Sequence, residues 1–215
     1  MNIQNDTETL CRRINELRNE YASQHTKSLF SSKQYKQECA KKVLNKFDID
    51  TLLKSTIVTI PESHHIFFDY TIFKTYAVPE LYETIIQYAI QKICICLEKY
   101  DMYEMHVNLN TFSISAFHRY KPILDLYSYE CNTNYNHFHE KIKTMHIYNM
   151  PSTIETISNL IGAIMPQIVR EKVVKYDKPS SEKAIHTISE IIRTTQSITQ
   201  MIAKPDNSLE TIESV

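Results

Sequence analysis

KIKTMHIYNMPSTIETISNLIGAIMPQIVREKVVKY, residues 141–176, decides how this chain is read. Its first nine residues carry Ile142, Thr144, Ile147 and Tyr148, β-branched and aromatic side chains that favour a strand. Pro151 breaks that strand. Ser152 with Glu155 three residues on forms a capping box, which predicts a helix from Ser152 to Met165. Ile154, Ile157, Leu160, Ile161, Ile164 and Met165 recur at spacings of three and four, with Glu155, Ser158 and Asn159 opposite, so this helix presents an apolar stripe. Pro166 ends it, and EKVVKY (171–176) reads as a short strand. Gly162, the single glycine among 215 residues, sits four positions before Pro166. A mid-helix glycine costs about 1 kcal/mol relative to alanine. Gly162 therefore either eases a kink at Pro166 or lets the helix approach a sheet closely.

Working outward, strand and helix alternate. HIFFDYTIF (65–73) reads as a strand, PELYETIIQYAIQKICICLEKY (79–100) as a helix with Pro79 in its first turn, and YEMHVNLN (103–110) as a strand. SISAFHRYKPILDLYSYEC (113–131) reads as a helix interrupted by Pro122, and NTNYNHFHE as a polar connection. SSEKAIHTISEIIRTTQSITQMI (180–202) is a final helix capped by Ser180 or Ser181. This order predicts an α/β fold: a mostly parallel sheet of four to five strands flanked by helices. Before it, residues 7–29 and 33–46 read as polar helices, followed by a helical turn at DIDTLLKS (48–55). The expected organisation is an N-terminal helical extension (1–58), an α/β domain (59–204) and a tail (205–215).

Composition narrows the function. Twenty-four basic residues nearly balance 25 acidic ones, so no global field would attract nucleic acid. The N-terminus has no apolar leader, and no run is apolar and long enough to span a bilayer. Five cysteines without framework spacing read as reduced thiols of a cytosolic-type compartment. The Ile-, Lys-, Asn- and Tyr-rich usage suggests an AT-rich source such as a large DNA virus or a protist, in which case the host cytoplasm or a virion is the expected location. One glycine excludes a phosphate-cradling loop and a GxSxG elbow. Cys131, His137, His139 and His146 cluster in sequence, but none sits at CxxC or HExxH spacing, and a solvent-facing loop is the reading taken. No catalytic residue, metal site or cofactor is expected. Asn108 and Asn110 share one face of their strand, Val107 and Leu109 the other; the asparagines are expected to close the turn that follows.

From Met105 to Tyr176 the chain resembles the CRAL-TRIO lipid-binding domain. The resemblance rests on HVNLNTFSIS, on FHRYKPILDLYSY, and on the strand ending Asn149-Met150-Pro151 with its helix, Pro166 and basic segment Arg170 to Tyr176; HIFFDYTIF is similar to the family's first core strand. It extends over residues 60–200. Met150 stands where the family has a small residue, and Asp177, Lys178 and Pro179 where it often has glycines. The resemblance implies a non-catalytic module that binds or transfers a lipid beneath a gate helix, here Ser152 to Met165. Ile154, Ile157, Leu160, Ile161 and Ile164 would face the ligand, above a floor of Phe67, Val107, Leu109 and Ile147. A bound lipid and transient contact with a membrane surface would follow. The alternative is a structural or adaptor protein, as in a virus particle, that keeps the fold and binds a protein partner through its N-terminal helices.

Overall fold

A computed structural model describes residues 3–24, 32–150, 159, 162 and 165–202. A five-stranded sheet has the order β1-β2-β3-β4-β5. β1 (Ile57–Thr59) runs antiparallel to β2 (His65–Asp69), whereas β2, β3 (Tyr103–Asn108), β4 (Ile142–Tyr148) and β5 (Val173–Lys175) are parallel. The fold is thus α/β with a mostly parallel sheet, as the alternation predicts.

Strand order matching chain order has a consequence. Successive crossovers of one hand that always step in the same direction deliver their helices to the same face of the sheet. Between β2 and β3 lie α4 (Tyr70–Tyr76), a 3₁₀ turn at Pro79–Leu81 and α5 (Tyr82–Tyr100); between β3 and β4 lie α6 (Ile114–Thr133) and α7 (Phe138–Lys141); α8 (Gln167–Arg170) precedes β5. Side chains of α5, α6 and α8 share the main core with Ile66, Leu109 and Ile147. The opposite face meets α9 (Lys178–Ile202), where Ile188 packs with Ile60, Phe67 and Tyr148. That is why β3 and β4 alternate apolar and polar residues instead of running apolar throughout, as strands of a doubly covered parallel sheet do.

The N-terminal helices belong to the same core. Leu10 and Ile14 of α1 (Ile3–Gln24), Val43 of α2 (Ser32–Lys46), and Leu52 and Leu53 of α3 (Ile49–Thr56) are buried with α4 and α5 residues. Their apolar faces pack within the chain. The boundary expected between residues 58 and 59 falls inside β1.

Several local expectations change. HIFFDYTIF is a strand only to Asp69, whose Oδ1 accepts from Thr71 N at 2.7 Å and so caps α4; a carboxylate cap here overrides the β propensity of Tyr70, Thr71 and Ile72. Pro122 lies inside α6 without ending it. The polar connection holds α7, anchored by fully buried Phe138. α9 is capped by Asp177, whose Oδ1 accepts from Ser180 N at 2.9 Å. Ser181 is buried, and its hydroxyl oxygen accepts from Asn149 N at 2.7 Å, fixing the positive-φ turn that leaves β4. Among the described residues, a Cβ built at helical Gly162 would meet only Arg170, with Cδ at 3.5 Å and a guanidinium nitrogen at 3.6 Å, and no residue of the sheet, so a close approach to the sheet is not the reason for this glycine.

Two outcomes follow. Asp69→Ala removes the α4 cap and a contact to Asn108, and should cost about 1–2 kcal/mol in urea unfolding. Gly162→Ala meets ordinary contact distances and should raise stability by up to about 1 kcal/mol.

Candidate ligand-binding site

A cavity of about 290 Å³ lies between the helix-covered face of the sheet and the helices upon it. Its floor consists of Ile66 and Phe68 of β2, Met105 and Val107 of β3, Met145 and Ile147 of β4, and Leu109 beyond β3. Ile85, Ile86 and Ala89 of α5 face them, with Tyr120, Ile123, Leu124 and Tyr127 of α6, and Met165, Pro166 and Val169 also contribute. Period-two alternation brings these floor residues together, since every second residue of a strand points to one face.

Two of the tyrosine hydroxyls in the lining are held by backbone carbonyls. The Tyr103 hydroxyl donates to the Phe138 carbonyl oxygen at 3.3 Å, and the Tyr120 hydroxyl to the Lys74 carbonyl oxygen at 3.3 Å. Burial pushes the Cys131 thiol up to about 11, so it stays a protonated, inert thiol at neutral pH. An interior lined in this way suits an apolar molecule.

Of the expected floor residues, Val107, Leu109 and Ile147 line the cavity. Phe67 does not: it lies on the opposite face with Ile60, Tyr148 and Ile188, and its neighbours Ile66 and Phe68 take the position foreseen for it. Phe67 shares its strand phase with His65 and Asp69, whereas Ile66 and Phe68 form the wholly apolar phase, and that alternation is the sequence signal that separates the two faces. Ile154, Ile157, Leu160, Ile161 and Ile164 lie outside the described residues. The roof residues of α5 and α6 lie on segments read from sequence as helices, and packing decides which of their faces meets the sheet. Cys131 and His139 border the cavity rather than a solvent-facing loop.

The other face carries a polar network. Glu104 is buried, and its carboxylate oxygens lie 2.9 Å from His146 Nε2, 3.0 Å from Lys143 Nζ and 3.4 Å from His64 Nε2. Burial acts to raise this carboxyl, but those three hydrogen bonds outweigh it and hold Glu104 at about 2. His106 is buried, with Nδ1 2.8 Å from the Tyr148 hydroxyl and Nε2 2.9 Å from His65 Nδ1. Burial, reinforced by His146 and His65, pushes it down to about 3. Towards the strands' carboxyl ends, the Asn108 side-chain oxygen accepts from Asn110 N at 3.1 Å and from Asn149 Nδ2 at 2.9 Å, closing the turn as expected of it.

Both shifts act in one direction on acidification. Folded His106 stays neutral while the unfolded residue takes up a proton below about 6.5, so stability present above that pH falls as pH drops. Glu104, held low in the fold, loses its contribution only below the unfolded carboxylate range. His106 alone should remove about 2 kcal/mol between pH 7 and pH 5. Urea midpoints across that range should fall in the wild type, and with a shallower slope in His106→Gln.

The CRAL/TRIO domain model matches residues 62–196, from the turn before β2 into α9. No curated protein matches the chain. Well over half of the sequence lies within the matched span, which contains the four parallel strands and nearly all of the cavity lining, and the chain therefore belongs to the CRAL/TRIO domain family of lipid-binding modules.

Proposed function

We propose that this protein binds one hydrophobic ligand, a lipid, in the cavity between the sheet and α5 and α6, and carries it between membranes without chemical change. The apolar cavity within a CRAL/TRIO domain is the observation that supports this reading. At about 290 Å³ the cavity stands at the lower end of the volumes that ligand pockets occupy. Each ~100 Å² of apolar ligand surface buried there contributes roughly 2.5 kcal/mol before binding costs. Residues 152–165 serve as the gate. Met165 and Pro166, at its carboxyl end, line the cavity, and Met150, just ahead of it, packs against the core. Ile154, Ile157, Leu160, Ile161 and Ile164 supply the apolar stripe that covers ligand when closed and tolerates a membrane surface when open.

Purified protein extracted with organic solvent should release close to one lipid per chain by mass spectrometry. Val107→Trp, which fills the cavity from its floor, should lower that stoichiometry more than about tenfold, because a side chain of that size removes the space the ligand needs. Its far-UV circular dichroism should stay near that of the wild type. Ile161→Asp with Ile164→Asp should abolish lipid transfer between vesicles while the fold is kept, since charge on the gate opposes lipid contact. A wild-type protein that neither carries lipid nor takes up a fluorescent acyl probe would instead favour the adaptor reading.

A further inference from the structure

The sheet face opposite the cavity gathers four groups that are far apart in sequence. Register sets His65 of β2 beside Glu104 of β3, and His106 of β3 beside His146 of β4. Glu104 and His106 are two residues apart on one strand and so share a face. Neighbouring strands lie about 4.8 Å apart, so the four side chains rise from adjoining positions of one lattice. His65 Nδ1 is 2.9 Å from His106 Nε2 and 3.8 Å from a Glu104 oxygen, and that oxygen is 2.9 Å from His146 Nε2. The ligand atoms of Glu104, His106 and His146 all lie within 4.8 Å of one another.

We propose that His65 Nδ1, His106 Nε2, His146 Nε2 and one Glu104 carboxylate oxygen form a binding site for a divalent transition-metal ion, zinc foremost. Three imidazoles and a carboxylate are a four-ligand set suited to tetrahedral Zn²⁺. Ligand atoms around such an ion stand about 3.3 Å apart, and the His65–His106, Glu104–His146 and His65–Glu104 pairs stand at 2.9, 2.9 and 3.8 Å. The outer ring nitrogens are already engaged: His106 Nδ1 lies 2.8 Å from the Tyr148 hydroxyl, and His146 Nδ1 lies 3.0 Å from the Tyr176 hydroxyl. Such outer partners orient imidazoles and select their tautomer. With Nδ1–H donating to each tyrosine, both Nε2 lone pairs point towards a carboxylate oxygen and a third imidazole. A cation among them satisfies all four groups at once.

Access and competition are also defined. The side chains of His65 and His146 are 30% and 17% exposed, whereas α9 packs on the Phe67 and Tyr148 end of this face, so the His65 end stays open to solvent. Lys143 Nζ, 3.0 Å from the other Glu104 oxygen and 58% exposed, is the cation that the metal meets. A bound ion would tie β2, β3 and β4 together at the end of the sheet remote from the Asn108 turn, separate from the cavity.

The test uses the full chain, stripped by chelator dialysis and titrated with Co²⁺, then with Zn²⁺ against a chromophoric chelator. One equivalent should bind, with the visible d–d bands of four-coordinate Co²⁺ and no thiolate charge-transfer band. His65→Ala with His146→Ala should weaken binding by at least roughly 100-fold, a larger loss than removal of an outer partner brings. Lys143→Gln changes an exposed side chain and keeps an amide donor beside Glu104, so it should fold, and it should tighten binding several-fold by removing the competing charge. No uptake by the wild type, a thiolate band, a double variant that binds as before, or unchanged affinity in Lys143→Gln would each overturn the site. Lipid stoichiometry, measured on the same samples, is a separate readout and reports on the cavity alone.

Discussion

The constraint on which everything else rests is the order of the strands. Because β2 to β5 lie side by side in chain order, each connection steps the same way, and the helices of α5, α6 and α8 accumulate on one face. That face must then be apolar and thick enough to hold helices against it. The other face meets α9 and is otherwise free to be polar. A sheet wound outward from its centre would have covered both faces and removed the distinction.

This asymmetry separates two chemistries by the thickness of one sheet. On the covered side, Met105, Val107, Met145 and Ile147 floor an apolar cavity. On the other, Glu104 is surrounded by His64, His65, His146 and Lys143. A buried carboxylate is costly unless paired, and Glu104 has cationic or hydrogen-bonding neighbours on both oxygens. His106 reports the same environment in the opposite sense: burial and the adjacent imidazoles keep it neutral. Residues one position apart along a strand thus serve unrelated ends.

Local signals were legible wherever the cause was local. The alternation of HVNLN separated Val107 and Leu109 from the asparagines, and the role of Asn108 at the turn followed from its place at the strand's end. Pro79 in the first turn before α5 was readable from φ restriction alone. The reading failed where two local preferences compete. At Asp69, a side-chain cap ends a strand that β-branched residues would have continued. At Pro122, packing of α6 carries the helix through a residue that disfavours it. At Phe67, a large aromatic ring stands in the strand phase of polar His65 and Asp69, and it packs on that face with Ile60, Tyr148 and Ile188.

By itself the sequence determined the α/β class, the order of elements and the apolar stripes, because each depends on side-chain period and turn chemistry within some twenty residues. Only the tertiary structure decided which stripes meet. The cavity lining draws on β1 to β4, α5, α6 and the segment after Met165, and the polar cluster on β2, β3 and β4. His65, Glu104, His106 and His146 occupy neighbouring positions because strand register places them there. Register is set by hydrogen bonding between segments some forty residues apart and by the burial of one face. No spacing along the chain encodes it, so histidines without a metal-binding motif in sequence converge on one carboxylate in the fold.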